Sequence, residues 1–228
     1  MLALGIETSG RPGSIALCRD SDCLASLPLD HGDLRHAQAL PPLVASLLAD
    51  NALSSNDLDL IAVSRGPGSF TGLRVGFAFA KTLAWATGCR LFAIDTFQAI
   101  ASAVEVRATS VWVAADAQRH ELFVRPYAKQ SDQQWEATQD HRIVPAARWC
   151  SERIPGEIVV TASSGLLDDH LAGTIACEPA AQTIAQLGQL ATHAGQGITP
   201  AELIPLYLRQ SAAEEKRQAR IDSLGQQD

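Results

Sequence analysis

The densest run of residues with chemical potential is Ser64-Arg65-Gly66-Pro67-Gly68-Ser69-Phe70-Thr71-Gly72-Leu73-Arg74-Val75-Gly76, set between an apolar run and a helical pattern. Backbone amides at a helix amino terminus hold anions, and glycines let a phosphate come close. The segment nonetheless has neither G-x-G-x-x-G nor the lysine of a phosphate loop, so a tight turn closed by a Ser69 or Thr71 cap accounts for it equally. Two acids, Glu7 and Asp116, each end an apolar run and precede a turn. Strand-end acids of this kind can hydrogen-bond their own turns. The second turn, Ala117-Gln118-Arg119-His120-Glu121, contains no glycine to let amides close on a phosphate. His31 and His36 lie five residues apart, about 140° around a helix, which is not a metal pair on one face. His36 reads as a capping or interface residue, and Asp168-Asp169-His170 as an exposed loop. H-E-x-x-H is absent and Gly66-Pro67-Gly68-Ser69-Phe70 is not G-x-S-x-G, so peptidase chemistry of either kind is not indicated.

Composition narrows the classes further. The 228 residues are 46% hydrophobic and 19% charged, which excludes disorder for the bulk of the chain and allows one long domain or two short lobes. Eighteen basic against twenty-five acidic residues give a net charge of -7, the wrong sign for neutralising nucleic-acid phosphates; contact with RNA would need a basic partner. Five cysteines without C-x-x-C suggest neither a disulfide framework nor a zinc ribbon and fit a reducing cytoplasm. The amino terminus reaches Glu7 without a basic region, unlike a signal peptide, and no apolar run approaches the ~20 residues that span a bilayer.

These residues are positioned by a repeated pattern. Strands are expected at Leu2–Ile6, Ser14–Arg19 and Cys23–Leu29, with a glycine-rich turn after the first. Leu40, Leu43, Val44 and Leu47 mark a helix that starts near Pro41 or kinks there. Leu58–Ser64, Phe70–Thr87 and Arg90–Ile94 form a strand, helix, strand succession and hence a parallel portion of sheet. From Ser110 the order begins again: strand to Ala115, Asp116, turn, strand Glu121–Tyr127, later a strand Glu157–Thr161 and a helix over Thr183–Ala194. Two related lobes follow, at 1–105 and 106–210, with a polar tail at 211–228.

The first-lobe helices carry more apolar surface than one sheet covers. Gly72, Gly76, Ala80 and Ala84 form a ridge of small residues beside a core-type stripe of Val75, Phe79 and Leu83. The preceding helix adds a second arc of Ala37, Pro41, Ala45, Leu48 and Ala52. We therefore expect a subunit interface on His36, Leu40, Val44, Leu48, Gly72, Leu73, Gly76, Phe77, Ala80 and Ala84, the alternative being that the small ridge packs on the chain's own sheet.

The Gly66–Gly76 motif, Ala80-Lys81, Pro205-Leu206-Tyr207-Leu208-Arg209, the opening Ile6-Glu7-Thr8-Ser9, His36 with Leu40-Pro41, and the stretch from Asp116 to Phe123 together resemble the TsaB (YeaZ) family across nearly the whole chain. That family belongs to the bacterial machinery making N6-threonylcarbamoyladenosine on tRNA. The resemblance implies an α/β, actin-like ATPase fold (ASKHA, ribonuclease H-like) whose second lobe is reduced. It also implies a non-catalytic assembly subunit without a cofactor, partnered by the catalytic paralogue TsaD and the ATPase TsaE. It would meet tRNA only through the complex, would not bind membrane, and would form a homodimer at most when alone. Thr96 and Ile100 stand where the paralogue carries two metal-binding histidines, so no metal is expected. The rival reading is a free-standing ATPase or small-molecule kinase using Glu7 and Asp116.

Overall fold

A computed structural model describes residues 1–29, 36–130, 134–163, 165–167, 171, 173–193 and 203–209. The expected tail, His31 and Asp168-Asp169-His170 lie outside the described residues, as does the side chain of His36.

The first half runs β1 (Leu2–Glu7), β2 (Ser14–Arg19), β3 (Asp22–Pro28), α1 (His36–Asp50), β4 (Leu60–Ser64), α2 (Phe70–Thr87), β5 (Arg90–Ile94) and α3 (Thr96–Ala103). The second runs β6 (Ser110–Asp116), β7 (Glu121–Lys129), β8 (Trp135–Ala137), β9 (Arg142–Pro145), α4 (Ala146–Ser151), β10 (Val159–Thr161), β11 (Ile175–Ala176) and α5 (Ala181–His193). Sheet order in the first half is β3-β2-β1-β4-β5, with β1 antiparallel to β2 and parallel to β4. In the second half β11-β10-β6-β7 repeats that order and those directions, and β8 and β9 both pair with β7. This is the actin-like, two-lobed arrangement that the resemblance implies.

Local chemistry explains the elements. Along β1, Leu2, Leu4 and Ile6 face the core beneath α1 and α2, whereas Ala3 joins the core beneath α5. The Ser69 hydroxyl accepts from the Gly72 amide to start α2, and Gly88, at φ +72°, ends it with its amide on the Ala84 carbonyl. Asp95 caps α3 by accepting from the amides of Phe97 and Gln98. Of the two expectations for α1, a start near Pro41 is not met: the helix begins five residues ahead and carries Pro41 and Pro42 inside. Burial of Leu40, Val44, Leu47 and Leu48 in the first core offsets the amides the prolines lack.

The proposed cut at residue 105 separates the sheets but not the helices. Helix α3, from the first half, sends Phe97, Ile100 and Ala101 into the core of the second sheet. Helix α5, from the second half, covers the first sheet: Ile184 and Ala185 pack with Ala3, Ala16, Leu60, Ala62 and Phe92. Each sheet is thus closed by the helix following the last strand of the other. The second half is reduced because α4 has 6 residues where α1 has 15.

Candidate functional site

Glu7 and Asp116 occupy equivalent strand ends and make equivalent bonds. Glu7 Oε1 accepts from the amide and hydroxyl of Ser9, and Asp116 Oδ1 accepts from the amide of Gln118 at 2.7 Å. Each acid therefore bonds its own turn two residues on. Their settings differ: Asp116 is exposed, whereas Glu7 is sealed and its Oε2 lacks a hydrogen-bond partner. Burial pushes the Glu7 carboxyl above its ordinary range, against the opposing pull of the bonds from Ser9. Alternation along β1 puts Glu7 on the face that α5 covers, where a Cβ on Gly5 would meet the Ala181 carbonyl oxygen at 2.0 Å.

The glycines of the central motif approach protein backbone. A Cβ on Gly68 would lie 2.5 Å from the Ser9 carbonyl oxygen, one on Gly72 2.0 Å from that of Thr8, and one on Gly76 2.3 Å from Thr8 Oγ1. The Ser69 amide donates to the Ser9 carbonyl at 2.7 Å. These glycines let α2 press against the end of β1.

Most of the residues expected at an interface are buried in this chain. The small ridge of Gly72, Gly76, Ala80 and Ala84 faces the chain's own interior, with Leu73 and Phe77 buried alongside. Leu40, Val44 and Leu48 of α1 are buried in the same core. Close approach of α2 to Thr8 at Gly72 and Gly76 leaves no room for larger side chains there. Val75, Phe79 and Leu83 are half-buried and pack against the edge of the same core. Thr71, Arg74, Ala78, Thr82 and Trp85 look outward, Trp85 being 82% exposed. On α1, Pro41, Ala45 and Ala49 are exposed too, and Ala52 just beyond it.

The segment 203–209 straps the halves together, a role its sequence did not reveal. Leu203 enters the first core, the Leu206 amide donates to the Arg65 carbonyl at 2.7 Å, and Leu208 packs on the second core. Tyr207 lies against Phe70 with ring centroids 4.7 Å apart, and its hydroxyl accepts from Arg74 Nε at 3.2 Å. Arg209 donates to the Ala117 carbonyl at 2.8 Å and pairs with Glu121, bracing the turn after Asp116.

Thr96 and Ile100 have structural environments. Thr96 Oγ1 accepts from the Gly66 amide at 3.2 Å, and Ile100 is fully buried in the second core. Among the described residues no group of three His, Cys, Asp or Glu is placed to hold a metal, and no helix is long and apolar enough to cross a membrane. Asp95, Arg125 and His141 form a separate polar cluster: Asp95 Oδ2 lies 2.8 Å from Arg125 and 3.2 Å from His141. It holds the start of α3 against the second sheet, and sequence spacing gave no sign of it. A hollow of about 870 Å³ lined by Arg107, Lys129 and Gly156 sits at the opposite end of the second sheet from Asp116.

Residues 33–165 match the family described as TsaD: tRNA N6-adenosine threonylcarbamoyltransferase. The tRNA threonylcarbamoyladenosine biosynthesis protein TsaB of Bacillus subtilis is 36% identical over 102 residues, covering 45% of this chain and 44% of that protein. TsaB of Escherichia coli is 29% identical over 146 residues, covering 63% of this chain and 62% of that protein. Protein ML0378 of Mycobacterium leprae is 32% identical over 220 residues, covering 94% of this chain and 56% of its own length. The chain thus spans about half the length of these curated relatives. The solved structure of YeaZ from Pseudomonas aeruginosa superposes with a TM-score of 0.76 at 26% identity, covering 91% of this chain and 99% of that one. By sequence over its central 133 residues and by fold over nine tenths of its length, the chain belongs to the TsaD family and is of the TsaB (YeaZ) type.

Proposed function

We propose that the chain is a non-catalytic subunit of the machinery that forms N6-threonylcarbamoyladenosine on tRNA, docking a TsaD-type catalytic subunit through the outward faces of α1 and α2. The ATPase TsaE joins this pair in the cytoplasm. The observation that carries the reading is the outward apolar surface of Pro41, Ala45, Ala49, Ala78 and Trp85, with Phe79 half-buried between. A tryptophan so exposed on a well-anchored helix has the chemistry of an interface anchor. The docking surface is thereby moved from the buried ridge to the opposite face of the same helices. A passive role is supported by Glu7 and Asp116 bonding their own turns, and by Thr96 and Ile100 where the paralogue has histidines. With a net charge of -7, the chain meets tRNA through the complex and not alone.

The test mixes the purified chain with the TsaD-type protein of the same organism and follows mass by light scattering. A complex should form, and Trp85→Ala should cost about 2 kcal/mol, roughly thirtyfold in affinity, with melting unchanged. Wild-type affinity in both Trp85→Ala and Ala78→Arg would overturn the docking face. ATP turnover by the chain alone, abolished in Glu7→Ala, would overturn the non-catalytic reading.

A further inference from the structure

We infer that Cys18 and Cys23 form a site of reversible oxidation, closing to an intrachain disulfide when a low-molecular-weight disulfide such as oxidised glutathione reaches Cys23. The inference stands apart from the proposed function and rests on the β2–β3 hairpin.

The two strands pair in register from Ser14↔Pro28 to Leu17↔Ala25, and then slip by one residue. Without the slip, Leu24 would oppose Cys18; with it, Cys23 does, and Arg19 faces Asp22. The bulge leaves Leu24 exposed and turns Cys23 to the side of the sheet where Cys18 lies, so both sulfurs belong to the core beneath α5. Directly opposed residues of an antiparallel pair have Cα atoms about 4.5 to 5.5 Å apart, inside the range of about 4.4 to 6.8 Å that a disulfide spans. Both thiols are free, with Cys18 sealed and Cys23 partly accessible. The hairpin tip is held: Gln186 of α5 donates to the Ser21 carbonyl at 3.3 Å, and the Met1 ammonium pairs with Asp20 at 2.6 Å. The strands therefore cannot readily move apart.

Geometry also sets the order of events. Burial first, and the neighbouring Cys23 second, push the Cys18 thiol up to about 12, so Cys18 is a poor first nucleophile. The Cys23 thiolate attacks one sulfur of oxidised glutathione; that S–S bond breaks and one glutathione thiolate leaves, taking up the proton Cys23 gave to solvent. Cys18 then loses its proton and attacks the Cys23 sulfur of the mixed disulfide, forming the Cys18–Cys23 bond and expelling the second glutathione. Two electrons pass from the protein thiols to the oxidant, and two glutathiones result.

The test treats the full chain with oxidised glutathione at graded ratios to reduced glutathione, blocks remaining thiols and maps peptides by mass. Trypsin cuts after Arg19, so Cys18 and Cys23 fall in different peptides that only a disulfide joins. The expected product is that joined pair, reversed by dithiothreitol, with Cys89, Cys150 and Cys177 blocked as in the untreated chain. Cys18→Ala should accumulate glutathione on Cys23 about tenfold over wild type, because the juxtaposed resolving thiol is gone. Stable glutathione on Cys23 in the wild type, linkage of either thiol to another cysteine, or two free thiols throughout would each overturn the inference. Should Cys18→Ala fold poorly, the wild-type peptide map decides alone.

Discussion

At the scale of single residues, the most informative side chain is Glu7. A carboxyl whose pKa is raised by folding holds its proton more tightly in the native than in the unfolded chain. Its contribution to stability is therefore full below the ordinary carboxyl range and is lost as pH rises from about 4.5 through the folded value. Glu7→Gln keeps an oxygen for Ser9 and has nothing to titrate. Its stability relative to wild type should climb as pH rises across that window, seen as a widening gap in melting temperature. Parallel melting curves of the two proteins from pH 4 to 8 check this; a constant difference would mean Glu7 is not held as described. Gly72 supplies a second test. Alanine there gains up to about 1 kcal/mol in helix propensity, yet its Cβ would enter the space of the Thr8 carbonyl at 2.0 Å. The collision should win, for a net loss of about 1 to 3 kcal/mol in denaturant titration. Gly88→Ala, with open space and only the left-handed backbone against it, should lose about 1 kcal/mol.

Elements show what could be read from sequence and what could not. Helix α2 matches its expected bounds of Phe70 and Thr87, and β5 its bounds of Arg90 and Ile94, because cap chemistry and apolar runs are local signals. The acid-and-turn equivalence of Glu7 and Asp116 was legible for the same reason. Helix α3 escaped notice because it has only 8 residues, and its polar side consists of Gln98 and Ser102 alone, one turn apart, too short a run to reveal a period. The short β8, β9, α4 and β11 fall below the length at which periodicity speaks. The burial of the small ridge of α2 is a different matter. Small residues read equally well as room for a foreign backbone or for the chain's own, and only the position of Thr8 decides. The strap makes its own prediction. Tyr207→Ala removes the ring packed on Phe70 and the acceptor of Arg74, and should cost about 0.5 to 1.5 kcal/mol in thermal melting. Adding Arg209→Ala should lower stability further by freeing the turn at Ala117, and equal melting of single and double variants would show that loss of Tyr207 already releases Arg209.

For the molecule as a whole, the exchanged helices mean that the halves are not independent folding units. A fragment ending at residue 105 keeps a complete first sheet but loses α5, leaving Ala3, Ala16, Leu60, Ala62 and Phe92 open to water on one face. It should give no cooperative melting transition and should bind a hydrophobic dye, whereas adding a peptide of residues 174–210 should restore part of the signal. A cooperative fragment would show that α1 and α2 suffice. The same crossing has a consequence for how the protein is made. The last strand of the first sheet leaves the ribosome about a hundred residues before the helix that covers it, an interval of roughly 5 to 20 seconds at ordinary rates of translation. Throughout that interval the nascent chain holds all five strands of the first sheet without the helix that covers one of their faces, so its apolar residues stay open to chaperones through the middle of synthesis, until residue 193 emerges.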